Sequence, residues 1–169
     1  MKIFNFFKKK KREKDEIHYC NKSEDSEEVK SIDIKELENL MNEITSCNIL
    51  ILNKANEIIN YMVDKKFRRV FKRINELHEI KDKILNLSRK MYGYETENEI
   101  VKICIDGIIY ECENLGYKFE LLKINVELVK IKYDSRKVAY LYDFKDNIRD
   151  IQEGSVRIRD ELEELVDNL

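Results

Sequence analysis

Histidine, cysteine and clustered carboxylates are the side chains best able to carry catalysis or hold a metal, and this 169-residue chain offers few in a usable pattern. Its only histidines are His18 and His78. Histidine-rich metal sites and most Ser-His-Asp or Cys-His arrangements are therefore hard to assemble. His18 lies in a highly charged segment, while His78 is seven residues from both Phe71 and Leu85 and reads as a partly buried core side chain on their helical face. His78-Glu79 begins like a zinc-protease motif, but Asp82 stands where the second histidine belongs. The inward Glu-x-x-His pairs of carboxylate-bridged metal bundles do not occur. Glu161, Glu164 and Asp167 share one helical face at spacing three, a pattern able to hold a hard cation. With no second acidic cluster to complete a ligand set, they read as a solvated face. There is no Walker loop, dinucleotide fingerprint or nucleophile elbow. The expected chemistry is non-enzymatic, with no catalytic residues, no metal and no cofactor.

The four cysteines, Cys20, Cys47, Cys104 and Cys112, form no CxxC pair. On one helix Cys104 and Cys112 would stand about 12 Å apart, too far to bridge. Reduced thiols acting as small core residues of a cytoplasmic protein are expected.

Charge layout is more informative than net charge, which is −2. Residues 2 to 14 carry seven Lys or Arg against one Glu, and residues 15 to 28 carry six Asp or Glu against Lys22. Residues 1 to 30 thus read as a flexible arm, basic and then acidic, ahead of a folded domain over 31 to 169. In the arm, Ile3, Phe4, Phe6 and Phe7 lead directly into Lys8, Lys9, Lys10, Lys11, Arg12 and Lys14. Large apolar side chains beside a lysine run suit reversible attachment to an anionic membrane surface, on its inner face, or docking to a partner. Lys2 excludes the usual myristoylation signal, the opening apolar stretch is too short for a secretory signal, and no segment is apolar enough to span a bilayer.

A second basic cluster, Lys65, Lys66, Arg68, Arg69, Lys72 and Arg73, occupies one side of a helix whose other side carries Val63, Phe67, Val70, Phe71 and Ile74. It is read first as internally neutralised, by the acidic segment Asp160 to Asp167 or by the acidic part of the arm. An acidic protein or lipid partner comes next, and nucleic-acid phosphates come last.

The elements that must position these groups are helices. There is no proline, there are four glycines, and charged residues make up 39% of the chain, a composition for long helices with solvated faces. Asp33 with Glu36 forms a capping box, followed by a three-four stripe of Ile34, Leu37, Met41, Ile44, Asn48, Ile51, Ala55, Ile58 and Met62. Asn48 in that stripe either fixes register as a buried amide or sits at a wet edge. The pattern continues through Phe67, Val70, Ile74, Leu77, Ile84 and Met91 to a cap at Gly93. Unbroken, a helix over 33 to 92 would be about 90 Å long. The one candidate break, Asp64-Lys65-Lys66, has no turn chemistry, so a continuous coiled-coil-like helix and a fold-back both remain open.

Thr96 with Glu99 caps a further helix carrying Ile100, Ile103, Cys104, Ile108 and Leu115, ending at Gly116, with Gly107 read as a point of close helix contact. Over 117 to 133 a heptad of Phe119, Leu122, Val126, Val129 and Tyr133 competes with the alternation of Val129, Ile131 and Tyr133 with lysines. The helical reading is the longer match; the alternative is an α+β fold with a hairpin at about 126 to 144, turning at Asp134 to Lys137. The last stripe, Leu141, Phe144, Ile148, Ile151, Ser155, Ile158, Leu162, Leu165 and Leu169, is weakened only at Gly154.

The expected fold is all-α, long helices in a coiled-coil-like bundle. The expected function is a helical scaffold or interaction protein, cytoplasmic and peripheral at the inner membrane face, whose heptad stripes drive self-association or hold a protein partner. The alternative is a nucleic-acid-binding or regulatory protein using the 65 to 73 face.

Overall fold

A computed structural model describes residues 34–92, 98–131 and 137–169. They form four α-helices and, among the described residues, no strand: α1, Ile34–Val63; α2, Phe67–Met91; α3, Glu99–Ile131; and α4, Lys137–Asp167. The helices alternate in direction, and each packs on two neighbours, α1 on α2, α2 on α3, α3 on α4 and α4 back on α1. Cross-helix contacts follow the antiparallel register, as in Arg157 with Glu111, Lys83 with Glu43 and Lys118 with the Asp150 carbonyl.

The three-four spacing of apolar residues explains the closure. The α1 stripe from Leu37 to Met62 is buried, as are Val70, Ile74, Leu77 and Ile84 on α2, Cys104, Ile108, Leu115, Phe119, Leu122 and Val126 on α3, and Phe144, Ile148, Ile151, Ile158, Leu162 and Leu165 on α4. These stripes fill one another inside a single chain. They are therefore used up internally, and the burial of Ile51 and Ile58 at 0% exposure removes them as grounds for a dimer.

The open question over 33 to 92 resolves as a fold-back. Lys65 takes the left-handed conformation (φ 57°), its amide donates to the Met62 carbonyl (3.1 Å), and the Lys66 amide donates to the Tyr61 carbonyl (2.8 Å). That pair of bonds is a Schellman ending. It normally uses glycine at the left-handed position, which is why no turn signal is visible in Asp64-Lys65-Lys66.

Two expected boundaries move. Helix α3 runs straight through Gly116, so the segments on either side of it are one helix. Its start is capped by Asn98, whose Oδ1 accepts the Ile100 amide at 3.0 Å, while Thr96 lies outside the described residues. Helix α2 ends at Met91 with Tyr92 as its cap, one residue before Gly93, as the sequence places it; Gly93 and Asp33 themselves lie outside the described residues. The hairpin alternative does not form where the chain is described, because 126–131 and 137–144 are helical.

Asn48 settles as a buried register element. It is 5% exposed, its Nδ2 donates to the Ser155 carbonyl at 2.8 Å, and its Oδ1 accepts from Ser155 Oγ at 2.5 Å. Two stripe positions that are polar in the sequence thus satisfy each other across α1 and α4.

Candidate interaction surface

Helix α3 carries a second apolar stripe on the side facing away from the core. Ile103, Tyr110, Tyr117, Ile124 and Ile131 recur every seven residues and are 64%, 66%, 65%, 50% and 74% exposed. Half-buried Leu121 and Leu128 lie between them, with Gly107 and Asn114 at the corresponding earlier positions. Spacings of four and three from 103 to 131 make a regular heptad seam, with the isoleucines and tyrosines at d and Gly107, Asn114, Leu121 and Leu128 at a. Opposite it, the f residues Ile105, Cys112, Phe119 and Val126 are buried in the core. One helix thus presents two apolar stripes back to back.

The two flanks of this seam differ. On the side of α2, every g position is acidic and exposed: Asp106, Glu113, Glu120 and Glu127. Asp106 accepts a 2.5 Å hydrogen bond from the Tyr92 hydroxyl, and that bond first, then partial burial, raises the Tyr92 pKa. On the side of α4 the e positions are Cys104, Glu111, Lys118 and Asn125, all partly or fully buried. Glu111 accepts from Arg157 Nε at 2.9 Å, while its second oxygen is buried without a hydrogen-bond partner. The hydrogen bond from Arg157 to Glu111 is the main reason the Arg157 pKa is raised.

The basic cluster expected at 65 to 73 gathers at the corner between α1 and α2. Lys65, Lys66, Arg68, Arg69 and Lys72 are exposed and Arg73 is half-buried. Among the described residues its carboxylate partners are local and not the acidic residues 160 to 167, while the acidic part of the arm lies outside the described residues. Arg73 pairs with Glu57 across the helices and with Glu76 at 2.7 Å; Lys54 reaches Glu76 at 3.0 Å, and Lys66 reaches Asp64 at 2.6 Å. Burial would raise the Glu76 carboxyl, but Lys54 and Arg73 outweigh it and hold the pKa below its ordinary value. Arg69 and Arg73 also lie 5.5 and 5.7 Å from the centre of the Tyr61 ring. Val63, expected on the apolar side, is instead 76% exposed. It borders an apolar recess of about 730 Å³ with Ile59, Phe67, Leu141, Tyr142 and Phe144. The arm residues Ile3, Phe4, Phe6, Phe7, Lys8, Lys9, Lys10, Lys11, Arg12 and Lys14 lie outside the described residues.

His78 packs edge-on against Phe119 (ring centres 5.3 Å apart), and its Nε2 is 3.0 Å from Glu120 Oε1 but out of hydrogen-bonding line. It is a core-flanking histidine. Glu161 lies over Gly107, with its carboxyl carbon 2.5 Å from where a Cβ would stand. Ligand atoms of Cys104, Glu161 and Glu164 fall within 4.8 Å of one another, whereas Asp167 is not in that group. Burial, helped by Glu164 and Glu161, pushes the Cys104 thiol up to about 11, and burial pushes Cys112 up to about 12. Both are protonated at neutral pH and, with Cys47, are free buried thiols, as the sequence suggests for core residues.

No family model matches the chain, and no curated protein or solved structure shows significant similarity to it.

Proposed function

We propose that this protein is a non-enzymatic helical interaction protein, a scaffold whose working surface is the outward seam of α3, carried at the inner membrane face by its basic and apolar amino-terminal residues. The observation that carries this reading is the seam itself. Five large apolar side chains at strict heptad spacing stand half to three-quarters exposed. Contiguous apolar patches above roughly 300 to 600 Å² are uncommon on monomers and mark contact sites. A heptad seam is also the pattern another helix reads by knobs-into-holes packing.

Among the described residues, no helix is long and apolar enough to cross a membrane, so attachment on this reading is peripheral. Ile3, Phe4, Phe6, Phe7 and the lysines that follow would supply it. The alternative use of the 65 to 73 cluster for nucleic acid is weakened by the carboxylates already engaging Arg73 and Lys66.

A photo-reactive residue at position 117, introduced into the full chain in cell lysate, tests the seam. An adduct of any mass is expected on irradiation, and Ile124→Glu in the same chain should suppress it. If position 117 gives no more adduct than the same probe at Glu79, on the exposed side of α2, the seam is not a contact surface.

A further inference from the structure

Resting on the seam as a contact surface, we infer that its occupant is a second copy of this chain, paired with α3 parallel to its counterpart about a two-fold axis along the helix. Three observations lead there.

The first is size. Two thirds of two tyrosines and half to three quarters of three isoleucines amount to roughly 600 Å² of exposed side chain. A stable pair buries about 800 Å² per partner, so the seam with half-buried Leu121 and Leu128 comes close to filling one such interface.

The second is charge. In an antiparallel pair the g rows face each other, setting Asp106, Glu113, Glu120 and Glu127 against the same row of the second copy, four acids on each side, of which Glu120 has Lys123 at 3.9 Å. Like charges placed so are destabilising. In a parallel pair g faces the partner's e row. Glu113 then faces Lys118 and Glu120 faces the neutral Asn125 of the second copy. Along these two rows only Asp106 meets an acid, Glu111, which Arg157 already neutralises; off the rows, the Glu161 carboxyl over Gly107 must turn away from its own copy.

The third is Asn114. It stands at an a position in the middle of the seam, between Gly107 and Leu121. In a parallel pair a faces a, so Asn114 meets Asn114 and each amide can donate to the other. In an antiparallel pair a faces d, and the same amide lies against tyrosine. A single polar a residue is a known means of fixing register and oligomer state.

The experiment uses the full chain with Cys20→Ser, whose remaining thiols at 47, 104 and 112 are buried. Ile103→Cys and Ile131→Cys are made separately, at exposed positions that leave the core untouched, and treated with a short bis-maleimide. Parallel pairing is expected to cross-link each variant to itself. In an antiparallel pair, position 103 would lie roughly 35 to 40 Å from its own copy, so neither variant alone would link. Sedimentation from about 1 to 100 μM should show a dimer, and Tyr117→Glu should weaken the dimerisation constant at least about tenfold while the circular dichroism stays unchanged. A wild-type chain that is monomeric throughout, or that cross-links only when the two cysteine variants are mixed, overturns the inference. If the purified chain is monomeric yet the position-117 probe still captures a different protein, the interaction reading stands and only the second-copy inference falls. If neither occurs, both fall.

Discussion

Replacing Gly154 and Gly107 by alanine, one at a time, separates two superficially similar glycines by sign. Both lie inside helices, so each alanine should gain up to about 1 kcal/mol of helix propensity. At Gly154 the new Cβ would stand 2.8 Å from Leu115 Cδ2 and 3.3 Å from Cγ. Leu115 is fully buried, so it has no open direction in which to yield. Overpacking of this kind costs about 1 to 3 kcal/mol, leaving Gly154→Ala between about neutral and 2 kcal/mol less stable than wild type. At Gly107 the Cβ meets only the end of the Glu161 side chain, which can swing toward solvent. Gly107→Ala should therefore be stabilising, by up to about 1 kcal/mol. For a helical domain of this size the two variants should move Tm in opposite directions, by about 3 to 5 °C per kcal/mol, and urea midpoints should shift the same way. Equal stabilisation by both alanines would refute the close packing of α3 and α4 at Leu115.

Three further outcomes follow from the same structure. Lys65→Gly relieves a left-handed lysine and should stabilise the fold by about 0.5 to 1 kcal/mol in urea unfolding; a loss of stability would contradict the Schellman turn. Asn48→Leu alone strands Ser155 and should cost about 1 to 3 kcal/mol, while adding Ser155→Ala should recover most of it, and a strictly additive loss would show that the two are not a pair. Glu161→Gln tests the crowded acids beside Gly107: burial, then Glu164, Glu111 and Asp160, raise the Glu161 pKa. An acid with a raised folded pKa stabilises the fold only while protonated, below its unfolded value of about 4.3, and that contribution is lost as pH rises through the folded pKa. The glutamine variant should thus melt above wild type at pH 7 and lose that advantage near pH 4. No difference at pH 7 would argue that the carboxylate is relaxed into solvent.

The bundle was legible because three of its four helices bury one face each. The stripes of α1, of α4 and of α2 from Val70 to Met91 appear in the sequence almost as they stand in the fold. Helix α3 was harder to read because its two stripes overlap. Ile103 is a seam residue and Cys104 a core residue, yet adjacent in sequence they look like one broad face. Val129 in the core and Ile131 on the seam imitate strand alternation for the same reason. Testing α3 for two offset heptads would have separated them, since Ile103, Tyr110, Tyr117, Ile124 and Ile131 repeat at seven without interruption. The turn at Lys65 was illegible on different grounds: backbone hydrogen bonds and packing of α2 on α1 hold a residue type that carries no turn signal. Gly107 is a close contact as expected, though with the end of a side chain, while the tighter contact of Gly154 on Leu115 was not legible, because what a glycine meets depends on the facing helix, which local sequence does not contain.

On the proposed reading, the outer face of α3, and not the exposed side of α2, makes the protein's contacts. Placing the photo-reactive residue in turn at 110, 117 and 124, and then at 79, 82 and 86 on the exposed side of α2, measures that directly in full-length chain in lysate. Adduct is expected to be high at the first three positions and low at the other three. Equal yields along both rows, or a maximum on the α2 row, would contradict it.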